Sequence, residues 1–265
     1  MKLTLENKHI RLKQCRYGPM LYLYKDQYIG QSLDRYGEYS EGEAFFFRTL
    51  THPVPQSEWL ALDIGANHGA HTIALAKCSK VVLAFEPQRI LFQILNANVV
   101  LNSAMNVFTF QQAVGSAAGT ILVPPLDYTK SENFGALVLG GDVGERVQVV
   151  TIDSLNLPEC HFIKLDVEGM EHEALLGARQ TLTRLKPTVY FESDRNATAC
   201  FTYLLKLGYR LYWHLPFYFN HFNYFGETEN VFGLTISVNT LAVPSEQVQP
   251  EGLREITTPD ANWRV

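Results

Sequence analysis

The stretch LALDIGANHGAHT at residues 60–72 decides the fold. It reads as a short apolar run ending in Asp63, a turn carrying Gly65 and Gly69, and the start of a helix, the order in which a buried parallel strand delivers the chain to a ligand. Glycine suits such a turn because the backbone must bend sharply and lie against the ligand with no Cβ in the way. Against the dinucleotide pattern G-x-G-x-x-G/A, Gly65 takes the first position and Ala70 the third. Asn67, however, stands where the second glycine lets backbone approach a pyrophosphate. The mismatch argues against a nicotinamide cofactor. Asn67 can still adopt the left-handed conformation that the turn requires.

Working outward, VVLAFEP (81–87) is a second buried run, and it ends in Glu86, 21 residues beyond Gly65, where a carboxylate accepts hydrogen bonds from ribose hydroxyls. Residues 70–78 and 88–101 show helical spacing, with Leu91, Leu95, Asn98 and Leu101 on the second. VFTFQQAVG (107–115) reads as a third strand. TILVPP, NFGALVL and RVQVVTID, within 119–152, suggest inserted hairpin strands. CHFIKLDVEG (160–169) is another buried strand, and EHEALLGARQTLTRLKP continues as a helix closed by Pro187. TVYFESD (188–194), a helix near 196–207, YRLYWHL and VFGLTISVN complete the alternation.

This order predicts an α/β fold, a doubly wound Rossmann-like sheet with an inserted β-hairpin region and antiparallel last strands. A short N-terminal cap is expected at 1–58, with strand-like PMLYLY and QYIG and an amphipathic helix around 40–50. The main domain spans 59–243, and a polar, loosely ordered tail follows at 244–265.

With 46% hydrophobic and 18% charged residues among 265, the composition is that of an ordinary globular protein with material for a buried core. A net charge of −5 without a Lys/Arg block argues against a nucleic-acid scaffold and favours a small or neutral partner. A polar N-terminus and the lack of a run approaching ~18 apolar residues predict a soluble, cytoplasmic protein with no membrane span. The four cysteines show no C-x-x-C spacing and the eight histidines no ligand spacing, so buried thiols and no metal are expected.

The same pieces resemble the FkbM-type family of class I S-adenosylmethionine-dependent methyltransferases. The matching blocks are LDIGANHGAHT, VLAFEPQRILFQILNANVVLN, QQAVGSAAGTI, VVTIDSL and FIKLDVEGMEHEALLGA followed by PTVYFE, with DQYIGQSLDRYGEYSEGEAFF similar to the family's lead-in. S-adenosylmethionine has no phosphate, so the loop need only accommodate a ribose and an amino-acid tail. The resemblance implies that Asp63, Gly65, Asn67 and Gly69 hold the amino-acid end, Glu86 the ribose, and Gln112 with Ala113 the border of the adenine. Ala66, His68 and Pro87 count as further cofactor contacts, and Asp166 closes the site. His68 departs from the family, which usually carries an apolar residue there, and His71 is a second histidine in the same stretch.

Methyl transfer from a sulfonium is an in-line displacement that needs alignment and a group to take the acceptor's proton. KLDVEGMEHE gathers Asp166, Glu168, Glu171, His172 and Glu173 at a strand-to-helix junction, and Glu192 ends the next strand. Asp166, Glu168, Glu171 and Glu192 are the catalytic candidates, although acidic residues in a first helical turn also stabilise the helix dipole. Lys164 is positioned to pair with one of these acids. The acids could alternatively hold a divalent cation, which nothing in their spacing demands. WHLPFYFNHFNYFGETENVFG (213–233) reads as core filler, a substrate wall or a self-association face that would make a homo-oligomer, and Tyr36, Glu38, Tyr39 and Glu43 as a lid.

The reading that follows is an O-methyltransferase acting on a hydroxyl of a sugar, glycoconjugate or other small natural product, with S-adenosylhomocysteine as by-product. The alternatives are N-methylation on the same fold, an NAD-dependent oxidoreductase, which Asn67 disfavours, and a cofactor-binding module without catalysis.

Overall fold

The structure is a computed structural model and describes residues 5–50, 52–135, 140–193 and 197–264. The N-terminal part contributes β1 (Leu5–Glu6), β2 (Ile10–Cys15), β3 (Gly18–Leu23), α1 (Ile29–Tyr36) and α2 (Glu41–Thr49). It is followed by β4 (Leu60–Ile64), α3 (Ala70–Ala76), β5 (Val81–Phe85), α4 (Arg89–Leu101), β6 (Val107–Phe110), β7 (Gln112–Val114), β8 (Gly119–Val123) and β9 (Glu145–Val150). Then come β10 (Phe162–Leu165), α5 (Glu171–Leu176), α6 (Arg179–Arg184), β11 (Thr188–Glu192), α7 (Ala197–Lys206), β12 (Tyr209–His214), β13 (Asn239–Pro244) and β14 (Glu255–Ile256).

The main sheet runs β14-β12-β13-β11-β10-β4-β5-β6. β11, β10, β4, β5 and β6 are mutually parallel, and β13, β12 and β14 add antiparallel pairings on one side. From β4 the chain winds outward through β5 to β6, then returns to β10 on the other side of β4. The carboxyl ends of β4 and β10 therefore flank the switch point, where open α/β sheets form their ligand crevice.

Side chains of a strand alternate between faces, and both faces are covered here, so the strands read as continuous apolar runs. Leu62, Ile64, Ile163, Leu165, Val189 and Phe191 share one core with Leu175, Leu182 and Phe201 of α5, α6 and α7. Ala61, Phe162 and Tyr190 share the opposite core with Phe47 of α2, Ile73 of α3 and Leu95 of α4. The same parity sends Asp63 and Lys164 to this second face. Lys164 stands opposite Asp63 on one neighbour and Tyr190 on the other.

The β1-β2-β3 sheet docks on the second face with one buried amide at the centre of its contacts, beside Asn102, which donates to the Pro19 carbonyl at 2.8 Å. Asn98 of α4 accepts the Leu21 N–H at 2.6 Å and donates to the Leu21 carbonyl at 2.9 Å and the His68 carbonyl at 2.7 Å. His68 Nε2 in turn accepts the Leu23 N–H at 3.2 Å. The hairpin and the glycine turn are thus tied to the same helix.

Several local expectations are corrected. The single strand over 107–115 is two strands in different sheets, because β7 leaves the main sheet to pair in parallel with β9 in a small β7-β9-β8 sheet. The helix after the 160–169 run breaks at Gly177, whose backbone abuts Gly115; a Cβ there would lie 2.1 Å from the Gly115 carbonyl oxygen. Asp153 caps the second piece through the Gln180 and Thr181 N–H groups.

QYIG opens α1 instead of forming a strand, and the strand expected over VFGLTISVN begins only at Asn239. The polar tail supplies the edge strand β14, where Ile256 is buried, and Ala261 and Trp263 pack on the core as isolated anchors without periodicity. Residues 136–139 of NFGALVL, together with Asp194 and Asn196, lie outside the described residues. Among the described residues no helix is long and apolar enough to cross a membrane.

Replacing Asn98 by Ala strips partners from three buried backbone groups, each worth about 1–3 kcal/mol when left unsatisfied. We expect Asn98→Ala to lower unfolding free energy by roughly 2–4 kcal/mol in urea titration. A wild-type midpoint would mean that the hairpin is held by other contacts.

Candidate active site

A cleft open to solvent follows the carboxyl edge of the sheet from β5 to β13.

The half nearer β5 is built on the glycine turn. Gly65 has φ +82°, and a Cβ there would lie 1.8 Å from the Asp166 carbonyl oxygen, so both conformation and space require glycine. Asn67 follows at φ +51°, in the left-handed region expected for it. Its N–H donates to Glu86 Oε2 at 2.8 Å, while the Gln88 N–H donates to Glu86 Oε1 at 2.8 Å. Glu86 is thereby aimed along the cleft. Burial pushes its carboxyl up to about 7; the two backbone donors oppose the shift and the charges of Asp63 and Asp166 add to it. Pro87, Gln112 and Ala113 complete this polar rim, and Leu91, Phe134 and Met170 supply apolar wall.

The half nearer β13 is acidic and aromatic. Lys164, wholly buried, reaches Asp63 at 3.4 Å and Asp166 at 3.2 Å. Burial alone would lower the Lys164 pKa, but Asp166, Asp63 and Glu43 outweigh it and hold the ammonium charged. Asp166, Glu168 and Glu192 bring carboxylate oxygens within 4.8 Å of one another, a spacing compatible with a shared hydroxyl or cation. Tyr39, Tyr190 and Tyr218 line the same end, together with Ser237 and Asn239.

Of the residues singled out in the sequence, Gly65, Asn67, Glu86, Pro87, Gln112, Ala113, Asp166, Glu168 and Glu192 line the cleft. Asp63, Ala66, His68, Gly69 and Glu171 stand behind it in supporting positions. Asp63 accepts the Thr72 hydroxyl at 2.5 Å and pairs with Lys164. His68 holds β3, and Gly69 at φ +86° begins α3. Glu171 turns back on its own loop, taking the Val167 N–H at 3.0 Å and the Gly169 N–H at 3.1 Å.

His71 is buried against Tyr39 and Phe47, and His172 packs edge-on to Tyr203, away from the cleft. Of the expected lid, Tyr39 and Glu43 line the cleft. Glu38 instead binds Arg16 and Asn220, and the Tyr36 hydroxyl binds the backbone at Glu229 and Val231. The aromatic stretch divides: Tyr218 faces the cleft, Phe219 packs on Tyr36, and Phe222 is exposed. Tyr190, Ser237 and Asn239 were missed. Strand parity with Lys164 could have found Tyr190; nothing local marks the other two.

The family model described as the methyltransferase FkbM domain matches residues 63–211, more than half of the chain. Among solved structures, methyltransferase FkbM from Methylobacillus flagellatus KT superposes with a TM-score of 0.52 at 19% identity, covering 82% of this chain and 55% of that one. The present chain thus spans about half the length of that protein. Precorrin-6y C5,15-methyltransferase from Geobacter metallireducens GS-15 has a TM-score of 0.45 at 14% identity, over 76% of this chain and 85% of that one. M. jannaschii TYW2 in complex with AdoMet has a TM-score of 0.45 at 15% identity, over 91% and 88%. No curated protein matches the sequence significantly.

The raised Glu86 pKa has a stability consequence. A carboxyl that holds its proton more tightly folded than unfolded stabilises the ligand-free protein below its ordinary pKa of 4.5, and that contribution is lost as pH rises through about 7. Glu86→Gln should therefore flatten the fall in thermal midpoint between about pH 5 and 8. An unchanged slope in differential scanning calorimetry would assign the fall to other groups.

Proposed function

The chain belongs to the FkbM methyltransferase family, and from that premise we propose that it binds S-adenosylmethionine in the β5 half of the cleft and methylates a hydroxyl of a sugar or other small natural product in the acidic half. The observation that carries this reading is the pairing of Gly65, which leaves bare backbone, with Glu86, whose carboxylate is fixed by two backbone N–H groups across the switch point. A nucleoside with two ribose hydroxyls and no phosphate fits these groups: Glu86 accepts the hydroxyls, Gln112 offers polar atoms at an adenine edge, and Leu91, Phe134 and Met170 offer apolar wall.

The cofactor would supply an electrophilic methyl group on a sulfonium. The chain's own residues then have two tasks, to align the acceptor and to manage charge. Asp166, Glu168 and Glu192 accept hydrogen bonds from the acceptor's hydroxyls and offset the positive charge that develops on the attacking oxygen. Lys164 pairs with Asp63 and Asp166 and holds both in place. Carboxylates, tyrosines and Asn239 suit a neutral polyol, whereas a phosphate-bearing acceptor would meet like charge.

Calorimetric titration with S-adenosylmethionine and S-adenosylhomocysteine tests the first step, and failure of both to bind at millimolar concentration would sink the proposal. Methyl release measured over a panel of neutral glycosides tests the second. Asp166→Asn and Glu168→Gln are expected to lose ~10²-fold or more in turnover while retaining cofactor binding. Wild-type rates in either variant would remove that residue from its role.

A further inference from the structure

The acidic half of the cleft holds one carboxylate that the sheet does not supply. Glu43 lies in the first turn of α2, is buried, and lines the cleft beside Tyr39, Tyr190 and Tyr218. The Ser40 hydroxyl donates to its Oε1 at 2.7 Å, and the Ser237 hydroxyl, itself receiving Asn239 Nδ2 at 2.8 Å, also hydrogen-bonds to it. Both donors are neutral.

The other acids are held differently. Asp166 is bonded to an ammonium, and Glu86 and Glu171 are each gripped by two backbone N–H groups. An ammonium partner makes a carboxylate a poorer base, and two hydroxyl donors do so much less. An ionised carboxylate has about four acceptor sites, so the two serines leave room for a hydroxyl arriving from the cleft. Glu43 shares the field of Lys164 with Asp63 and Asp166, but its own hydrogen-bond partners are hydroxyls. Burial raises the Glu43 pKa, Asp166 adds to the rise, and Ser40, Lys164 and Ser237 oppose it.

We infer that Glu43 is the general base of the methyl transfer, contributed by the N-terminal part of the chain and not by the strand ends. The inference rests on the methyl-transfer reading. As the acceptor oxygen forms its bond to the methyl carbon, the S–C bond breaks and sulfur keeps that pair. The O–H pair stays on oxygen, and the proton passes to the free face of the Glu43 carboxylate. The neutral acid formed there keeps its serine partners, and it returns the proton to water when the product leaves.

The test compares wild type with Glu43→Gln and Glu43→Asp, using glycerol and the neutral glycoside panel as hydroxyl probes. S-adenosylhomocysteine affinity should stay within about threefold of wild type in both variants, while turnover in Glu43→Gln falls ~10²–10⁴-fold and Glu43→Asp recovers part of the loss. The pH profile separates a base from a structural prop. The charged and titratable groups facing Glu43 are Lys164 from β10 and Asp166 just after it, Tyr190 and Glu192 from β11, Tyr39 before α2, and Tyr218. The lysine and the three tyrosines titrate far above neutrality.

Wild-type turnover should rise with pH along an acid limb that persists in Asp166→Asn and disappears in Glu43→Gln. Bound cofactor with equal turnover in wild type and Glu43→Gln would overturn the assignment while leaving the methyltransferase reading intact. An unaltered acid limb in Glu43→Gln would overturn it as well. Absence of cofactor binding, or of any probe-dependent turnover by the wild type, would remove both.

Discussion

The structure turns on one buried cation. Lys164 projects from the second-face side of β10 into a buried position at the floor of the cleft, opposite Asp63 in the neighbouring strand and two residues before Asp166. A buried ammonium persists only with compensating charge, and losing one partner of such a group is more damaging than never having built it. The triad therefore forces the carboxyl ends of β4 and β10 together at the one point where the sheet order reverses. Gly65 answers to the same closeness, since only glycine can pass the Asp166 carbonyl there. Turn, strand ends and acidic wall form one mechanical unit.

Charge is distributed unevenly along the cleft that this unit opens. Near β5 a single carboxyl, Glu86, is buried and held by backbone donors. Toward β13, Asp166, Glu168, Glu192 and Glu43 share a space in which Lys164 is the one cation among the described lining residues. Negative potential there raises the pKa of Tyr190 and Tyr218 beyond what burial does, keeping both phenols neutral hydrogen-bonding groups. The region favours hydroxyls and positive charge and disfavours anions.

The two halves also differ in where their residues come from. Gly65, Glu86 and Gln112 fall within the stretch matched by the family model, and so do Lys164, Asp166, Glu168, Tyr190 and Glu192 of the acidic half. Tyr39, Glu43, Tyr218, Ser237 and Asn239 fall outside it, on segments before and after. Loops and caps carried by a rigid sheet can change without disturbing the strand ends, which is how one architecture serves many acceptors. Asn98 and His68 clamp the N-terminal hairpin to the glycine turn, so α2 and Glu43 belong to a part anchored next to the turn.

What was legible in the sequence was local. Strands buried on both faces appear as unbroken apolar runs, a left-handed turn calls for Gly65 and Asn67, and Glu86 at the next strand's end follows at a readable distance. Those signals sufficed for the α/β alternation, the glycine turn and the acidic junction. They failed where adjacent residues diverge: Glu168 and Gly169, at φ +53° and +96°, reverse the backbone so that Glu168 faces the cleft and Glu171 folds back behind it. Spacing along an assumed helix could not foresee that reversal. The partners of Lys164, the company of Glu43, and the arrival of Ser237 and Asn239 were decided only by tertiary structure. The physical reason is that contacts between residues far apart in the chain leave no local periodicity, and exist only once the β4–β10 junction has brought the segments together.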